Sequence, residues 1–94
     1  MRAPIEKLPA VVEVLRRFGA RRIFLFGSAA GDPEHAQDVD LAVEGIPLRS
    51  LLAADAAAFR ILDYPMDLVS KEDDPAFYEM IRLRGKVLYE QGCA

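Results

Sequence analysis

Apolar residues recur at helical spacing near the start of the chain. Ile5, Leu8, Val11, Val12 and Leu15, followed by Phe18, form one stripe, and Gly19 stands where a helix C-terminus is commonly closed. This pattern predicts a first amphipathic helix with Glu6, Glu13, Arg16 and Arg17 on its solvated side. The period then changes. Arg22-Ile23-Phe24-Leu25-Phe26 is short, β-branched and aromatic, and Gly27 ends it, which predicts a buried strand. Residues 29–37 contain Gly31, Asp32, Pro33, His35 and Gln37 and read as a polar loop, with room for one helical turn after Ser28.

Asp38-Val39-Asp40-Leu41-Ala42-Val43 alternates polar and apolar positions before becoming wholly apolar, the pattern of a second strand. Gly45 and Pro47 end it. A second helix is predicted over residues 48–62, with Leu48, Leu51, Leu52, Phe59 and Leu62 among many alanines. Pro65 stops it, and Met66-Asp67-Leu68-Val69-Ser70 reads as a third strand. Asp74-Pro75 is an N-cap followed by proline at the first helical position, so a third helix is predicted through Arg84, with Phe77, Ile81 and Met80 facing inward. Asp73 and Asp74 are assigned to this cap. Gly85 closes the helix, and Lys86-Val87-Leu88-Tyr89-Glu90 is either a last strand or an extended tail. The order of elements predicts an α/β (α+β) fold, with a small mixed sheet and helices mainly on one face.

The chain has 94 residues, enough for one domain spanning 1–94. A domain of this size has a thin stability margin, so an exposed apolar patch that docks a partner is compatible with it. A net charge of −3 argues against non-specific nucleic-acid binding but leaves room for a metal-neutralised nucleotide site. Cys93 is the one cysteine, so no internal disulfide is expected, and its place near the C-terminus reads as a frayed-tail thiol. No run approaches the ~20 apolar residues of a membrane span, and the N-terminus lacks the apolar segment of a signal peptide. The expected location is cytoplasmic.

The chemistry lies in the carboxylates. Asp38 and Asp40, one residue apart on a strand, point the same way about 7 Å apart at Cα, a separation that can bracket one or two divalent cations. Two like charges side by side are unfavourable without a cation. Asp67 interrupts an apolar strand, where a charge is costly unless paired or exposed. With the third strand beside the second, Asp67 completes an oxygen-only set suited to Mg²⁺ or Mn²⁺. Gly27 lets the backbone turn and approach a ligand, and Ser28 offers an N–H and a hydroxyl to a phosphate oxygen. Each feature alone is more often ordinary surface or turn chemistry. His35 likewise reads as a solvated loop residue, and Tyr64, Tyr78 and Tyr89 as packing.

Taken together, Phe26-Gly27-Ser28, nine intervening residues, and Asp38-Val39-Asp40-Leu41 resemble the signature of the DNA polymerase beta-like nucleotidyltransferase superfamily. Asp67 in Pro65-Met66-Asp67-Leu68-Val69 matches its third carboxylate. The likeness is greatest to the minimal, MntA-like nucleotidyltransferases and extends over nearly the whole chain. It departs from them after Ser28. Minimal members often carry an arginine there, whereas this chain reads Ala29-Ala30-Gly31-Asp32, which leaves Arg21, Arg22, Arg49 or Lys71 as substitutes.

The resemblance implies a polymerase beta-like core with Gly27 and Ser28 binding the nucleotide. It implies Asp38, Asp40 and Asp67 as catalytic residues and ligands of two Mg²⁺ ions, with ATP as substrate. It further implies transfer of AMP to an acceptor hydroxyl, on a HEPN-domain toxin encoded nearby, by this chain acting as antitoxin. The alternative is a non-catalytic antitoxin that masks its partner. An apolar patch for a partner would also serve a homodimer.

Overall fold

A computed structural model of the chain describes residues 2–91, so Cys93 lies outside the described residues. A 3-10 turn, Ile5–Lys7, leads into α1, Leu8–Arg17. Proline in the first turn of α1 removes an N–H that would have no helical partner there. The remaining elements are β1 (Arg22–Phe26), the single turn α2 (Ser28–Gly31), β2 (Val39–Glu44), α3 (Leu48–Leu62), β3 (Met66–Ser70), α4 (Pro75–Arg84) and β4 (Lys86–Glu90).

The four strands form one sheet in the order β3-β2-β1-β4. The return from β1 to β2 through α2 and the loop after it gives an antiparallel pair, with Phe26 opposite Asp40 and Leu25 opposite Leu41. The α3 crossover makes β2 and β3 parallel, with Asp40 beside Asp67. The final segment is a strand, not a tail: β4 pairs antiparallel with β1 through a register shift between Ile23 and Phe24. The sheet is therefore mixed, as the element order predicts.

Alternation along β1 and β2 divides their side chains between two cores. Ile23, Leu25, Val39, Leu41 and Val43 join Leu8, Val11 and Leu15 of α1 and the inner face of α3 in the larger one. Phe24 and Ala42 meet Tyr78 and Ile81 of α4 in the smaller one. Two long helices thus share one face, and α4 alone covers the other.

The buried faces of α3 and α4 are set by packing, and that of α4 differs from expectation. On α3 the buried residues are Ala54, Ala58 and Leu62, whereas Leu52 is 84% exposed and Leu48 and Phe59 are also exposed. Small alanines at i and i+4 let the helix lie close against its neighbours, and α1 is the element it packs on most. On α4 the residues turned inward are Tyr78 and Ile81. Phe77 stays partly exposed and Met80 is 63% exposed. The Asp74 cap is as predicted, its carboxylate accepting from Phe77 N–H at 3.2 Å. Among the described residues, no helix is long and apolar enough to cross a membrane.

Candidate active site

The two strand starts that carry the carboxylates are laced together. The Val39 N–H donates to the Pro65 carbonyl at 2.9 Å. The buried Tyr64 hydroxyl donates to the Ala36 carbonyl. The loop before Asp38 and the turn before Asp67 are thereby held to each other by a backbone bond and a side-chain bond. The parallel register then puts Asp40 and Asp67 side by side on the α4 face of the sheet. Adjacent strands lie about 4.8 Å apart, so residues in register on one face are direct neighbours. Asp38, expected to open the second strand, sits in the bend just before β2, which begins one residue later at Val39; it is exposed, as is Asp67.

Asp40 is the half-buried member of the three. Burial raises its carboxyl above the usual range, and the charges of Asp38 and Asp67 push it further the same way. Among the described residues, no basic group offsets this. A fourth carboxylate, Asp55 on α3, is raised by burial and then by the charge of Asp67.

Gly27 closes the site from the β1 side. Its backbone has φ 74° and ψ −158°, a region that is essentially glycine's alone. A Cβ built there would collide with the Asp40 carboxylate. The close approach of backbone and carboxylate thus depends on the missing side chain. Ser28 follows, exposed, as the first residue of α2.

Among the described residues, no group of three or more His, Cys, Asp or Glu side chains forms a ready-made metal cage. The donor chemistry nonetheless fits Mg²⁺, which is commonly held by one or two carboxylates with water and substrate phosphates completing its shell. The mutual repulsion at Asp40 is the kind of imbalance a divalent cation offsets.

The far end of β2 carries the opposite arrangement. Glu44 accepts from the Tyr78 hydroxyl at 3.1 Å and from Arg22 at 3.4 Å, with Arg21 and Lys71 each at 3.7 Å. Burial alone would raise Glu44, but the Tyr78 bond and the charges of Lys71, Arg22 and Arg21 outweigh it and hold the carboxyl below its ordinary value. Burial, then the bond to Glu44, raises the Tyr78 phenol. Arg21, Arg22 and Lys71 are therefore engaged at Glu44 and do not replace a cation after Ser28. His35 is 83% exposed at its side chain and pairs with Asp32 at 2.9 Å, as suits a solvated loop residue.

A groove of about 260 Å³ adjoins the carboxylates through Gly27. Phe26, Gly27, Ala30, Phe77, Met80, Ile81 and Arg84 line it. A larger groove, about 670 Å³, lies on the α1 side against Ile5, Leu8, Leu25 and Leu88, away from the carboxylates.

Comparison of the sequence with protein-family profiles and with characterised proteins returns no match. Comparison of the fold does. Two crystal structures of mutant forms of the toxin–antitoxin pair MntA–HpeT superpose with TM-scores of 0.72. One carries a Tyr-to-Ala change and shares 22% identity, covering 89% of this chain and 72% of that one. The other carries two Asp-to-Glu changes one residue apart and shares 20% identity, covering 88% of this chain and 73% of that one. The chain has an MntA-like fold. At this level of identity the likeness is one of fold.

On the MntA-like frame, sequence reasoning singled out Gly27, Ser28, Asp38, Asp40 and Asp67, and these residues gather around one end of the sheet. It did not single out Asp55, whose carboxyl feels the charge of Asp67, or Arg84, which lines the groove at Gly27. An aspartate among the alanines of α3 was the available signal for the first. Nothing local distinguishes Arg84 from any arginine in the last turn of a helix.

Proposed function

We propose that residues 1–94 act as a minimal, divalent-cation-dependent nucleotidyltransferase that moves AMP from ATP to a hydroxyl of a protein partner. The observation that carries this reading is the contact of Gly27 with Asp40, itself in register with Asp67, on an MntA-like fold. A half-buried carboxylate raised by burial and then by its neighbours' charges, and set against a glycine turn, has no evident structural purpose, because ionised it destabilises the fold.

In this reading Gly27 and Ser28 bind the phosphates, and Asp38, Asp40 and Asp67 hold Mg²⁺. The chemistry such an ion supplies is neutralisation of phosphate charge and a lowered pKa for the acceptor hydroxyl. Asp67 orients that hydroxyl and its carboxylate takes the proton. A new bond forms between the acceptor oxygen and the α-phosphorus. The bond from the α-phosphorus to the bridging oxygen breaks, and pyrophosphate leaves with the electron pair.

The acceptor belongs to a partner. Phe77, Met80 and Leu83 are exposed along α4, on the face that carries Asp40 and Asp67, and suit a protein surface better than solvent. The MntA–HpeT structures are of a toxin–antitoxin pair, so the role proposed for this chain is that of antitoxin, with a HEPN-domain toxin as partner. The same exposed face favours the second reading, an antitoxin that neutralises by covering its toxin without transfer. Incubation with α-labelled ATP, Mg²⁺ and the protein encoded beside this one separates the two. Label on that protein, lost in Asp38→Asn/Asp40→Asn, supports transfer. A tight but unlabelled complex supports masking.

A further inference from the structure

A nucleoside triphosphate brought to Gly27 and Ser28 enters an acidic neighbourhood. Residues 28–40 contain Asp32, Glu34, Asp38 and Asp40 and neither lysine nor arginine. The positive charge has to come from elsewhere in the fold, and half of the chain's twelve lysines and arginines are committed to ion pairs. Arg21, Arg22 and Lys71 meet Glu44, Arg2 meets Glu6 and Glu34, Arg16 meets Glu13, and Arg82 meets Glu79.

Two cations flank α2 without an ion-pair partner among the described residues. Arg84, at the end of α4, lines the groove that contains Gly27 and Ala30. Lys86, at the start of β4, opens on the other side, toward Gly31 and Pro33 and away from Gly27. Arg84 is exposed, so its guanidinium is free to turn toward an incoming anion. Phe26, Phe77 and Met80 form an apolar wall beside it, which strengthens a charge-assisted hydrogen bond by excluding water.

We propose that Arg84, reaching across the α2–α4 groove, is the cation that binds the nucleotide phosphates in this chain. The proposal rests on the nucleotidyltransferase reading above. It replaces a charge normally sought just after the glycine turn by one delivered from the last turn of α4. A planar guanidinium is suited to the task because it can grip two phosphate oxygens at once.

The test is equilibrium binding of ATP and of adenosine, in Mg²⁺, to the wild-type chain and to Arg84→Ala, Arg84→Lys and Lys86→Ala. Arg84→Ala should weaken ATP about tenfold or more and leave adenosine unchanged, the scale of one lost charge-assisted bond. Arg84→Lys should fall between, and Lys86→Ala should stay within about twofold of wild type. Equal weakening by Arg84→Ala and Lys86→Ala would reduce the effect to diffuse surface charge and overturn the proposal. So would ATP binding unaltered in Arg84→Ala, which leaves the function reading standing. Absence of ATP binding in the wild type overturns both. Arg84 is solvent-exposed, so its truncation leaves the fold intact, and an unchanged thermal melt verifies this.

Discussion

Replacing Gly27 with alanine should damage fold and site together, through two separable causes. The first is backbone conformation. At φ 74° and ψ −158° any residue with a Cβ is strained, at a cost of about 1–3 kcal/mol. The second is collision of the new methyl group with the Asp40 carboxylate, which has to swing away and disturb its neighbours. Overpacking of this kind costs about 1–3 kcal/mol. Together they amount to roughly 2–6 kcal/mol, a large part of what a domain of this size possesses. Each kcal/mol corresponds to about 4–8 °C in Tm at this length.

A double-mutant cycle separates the causes. In an Asp40→Ala background the offending oxygen is gone, and the nearest remaining atom of residue 40 is its Cβ at 3.4 Å, an ordinary contact. Gly27→Ala should then cost only its backbone part. Urea denaturation of the wild type, both single variants and the double variant supplies the coupling energy. A Gly27→Ala penalty equal in both backgrounds would refute the account of the Gly27–Asp40 contact. A penalty under about 1 kcal/mol in the wild-type background would refute the strain argument as well.

Other expected outcomes follow from the same structure. Asp40→Asn should raise Tm without divalent cations. The folded carboxyl of Asp40 is raised above 3.8, so its ionised form opposes folding at neutral pH; the advantage of Asn should shrink as pH falls toward and below 3.8, and a flat difference across that range would contradict the reasoning. Tyr78→Phe should cost about 1–2 kcal/mol at pH 7 by removing the hydroxyl that donates to buried Glu44. Because the Glu44 carboxyl is lowered in the folded state, its stabilising contribution is present above 4.5 and is lost as pH falls through its folded value, so the Tyr78→Phe penalty should shrink in acid, as urea titrations at several pH values would reveal. Ala58→Leu should destabilise by about 1–3 kcal/mol, whereas Leu52→Ser, at an exposed position on the same helix, should stay within about 0.5 kcal/mol; thermal melts giving the reverse order would invert the assigned faces of α3.

Much of the fold was legible because its punctuation is chemical. Gly27 ends a strand by a turn only glycine makes easily, Asp74-Pro75 opens a helix by a cap and a proline, and Asp38-Val39-Asp40-Leu41 alternates as a strand with two different faces must. What escaped depended on contacts between elements. The buried stripe of α3 is built from Ala54, Ala58 and Leu62, whereas the more hydrophobic Leu48, Leu52 and Phe59 lie exposed, so hydrophobicity alone does not mark the inner face. The inward residue of α4 is Tyr78, not Phe77, because Tyr78 has a buried acceptor in Glu44, which lies 34 positions away in sequence. That network also explains why Arg21, Arg22 and Lys71 could not be placed from sequence: their partner lies at the end of β2 opposite the carboxylate site. Arg84 shares a groove with Gly27 only because the two chain segments, 57 positions apart, meet in the folded structure.

The central claim is tested most directly by the intact mass of the protein encoded beside this one, after coexpression with the wild-type chain or with Asp40→Asn. The account predicts a nucleotidyl increment on that protein with the wild-type chain and none with the variant, while the complex forms in both cases. An unmodified protein in both, held in an equally tight complex, would contradict transfer and leave Asp38, Asp40 and Asp67 without a catalytic role.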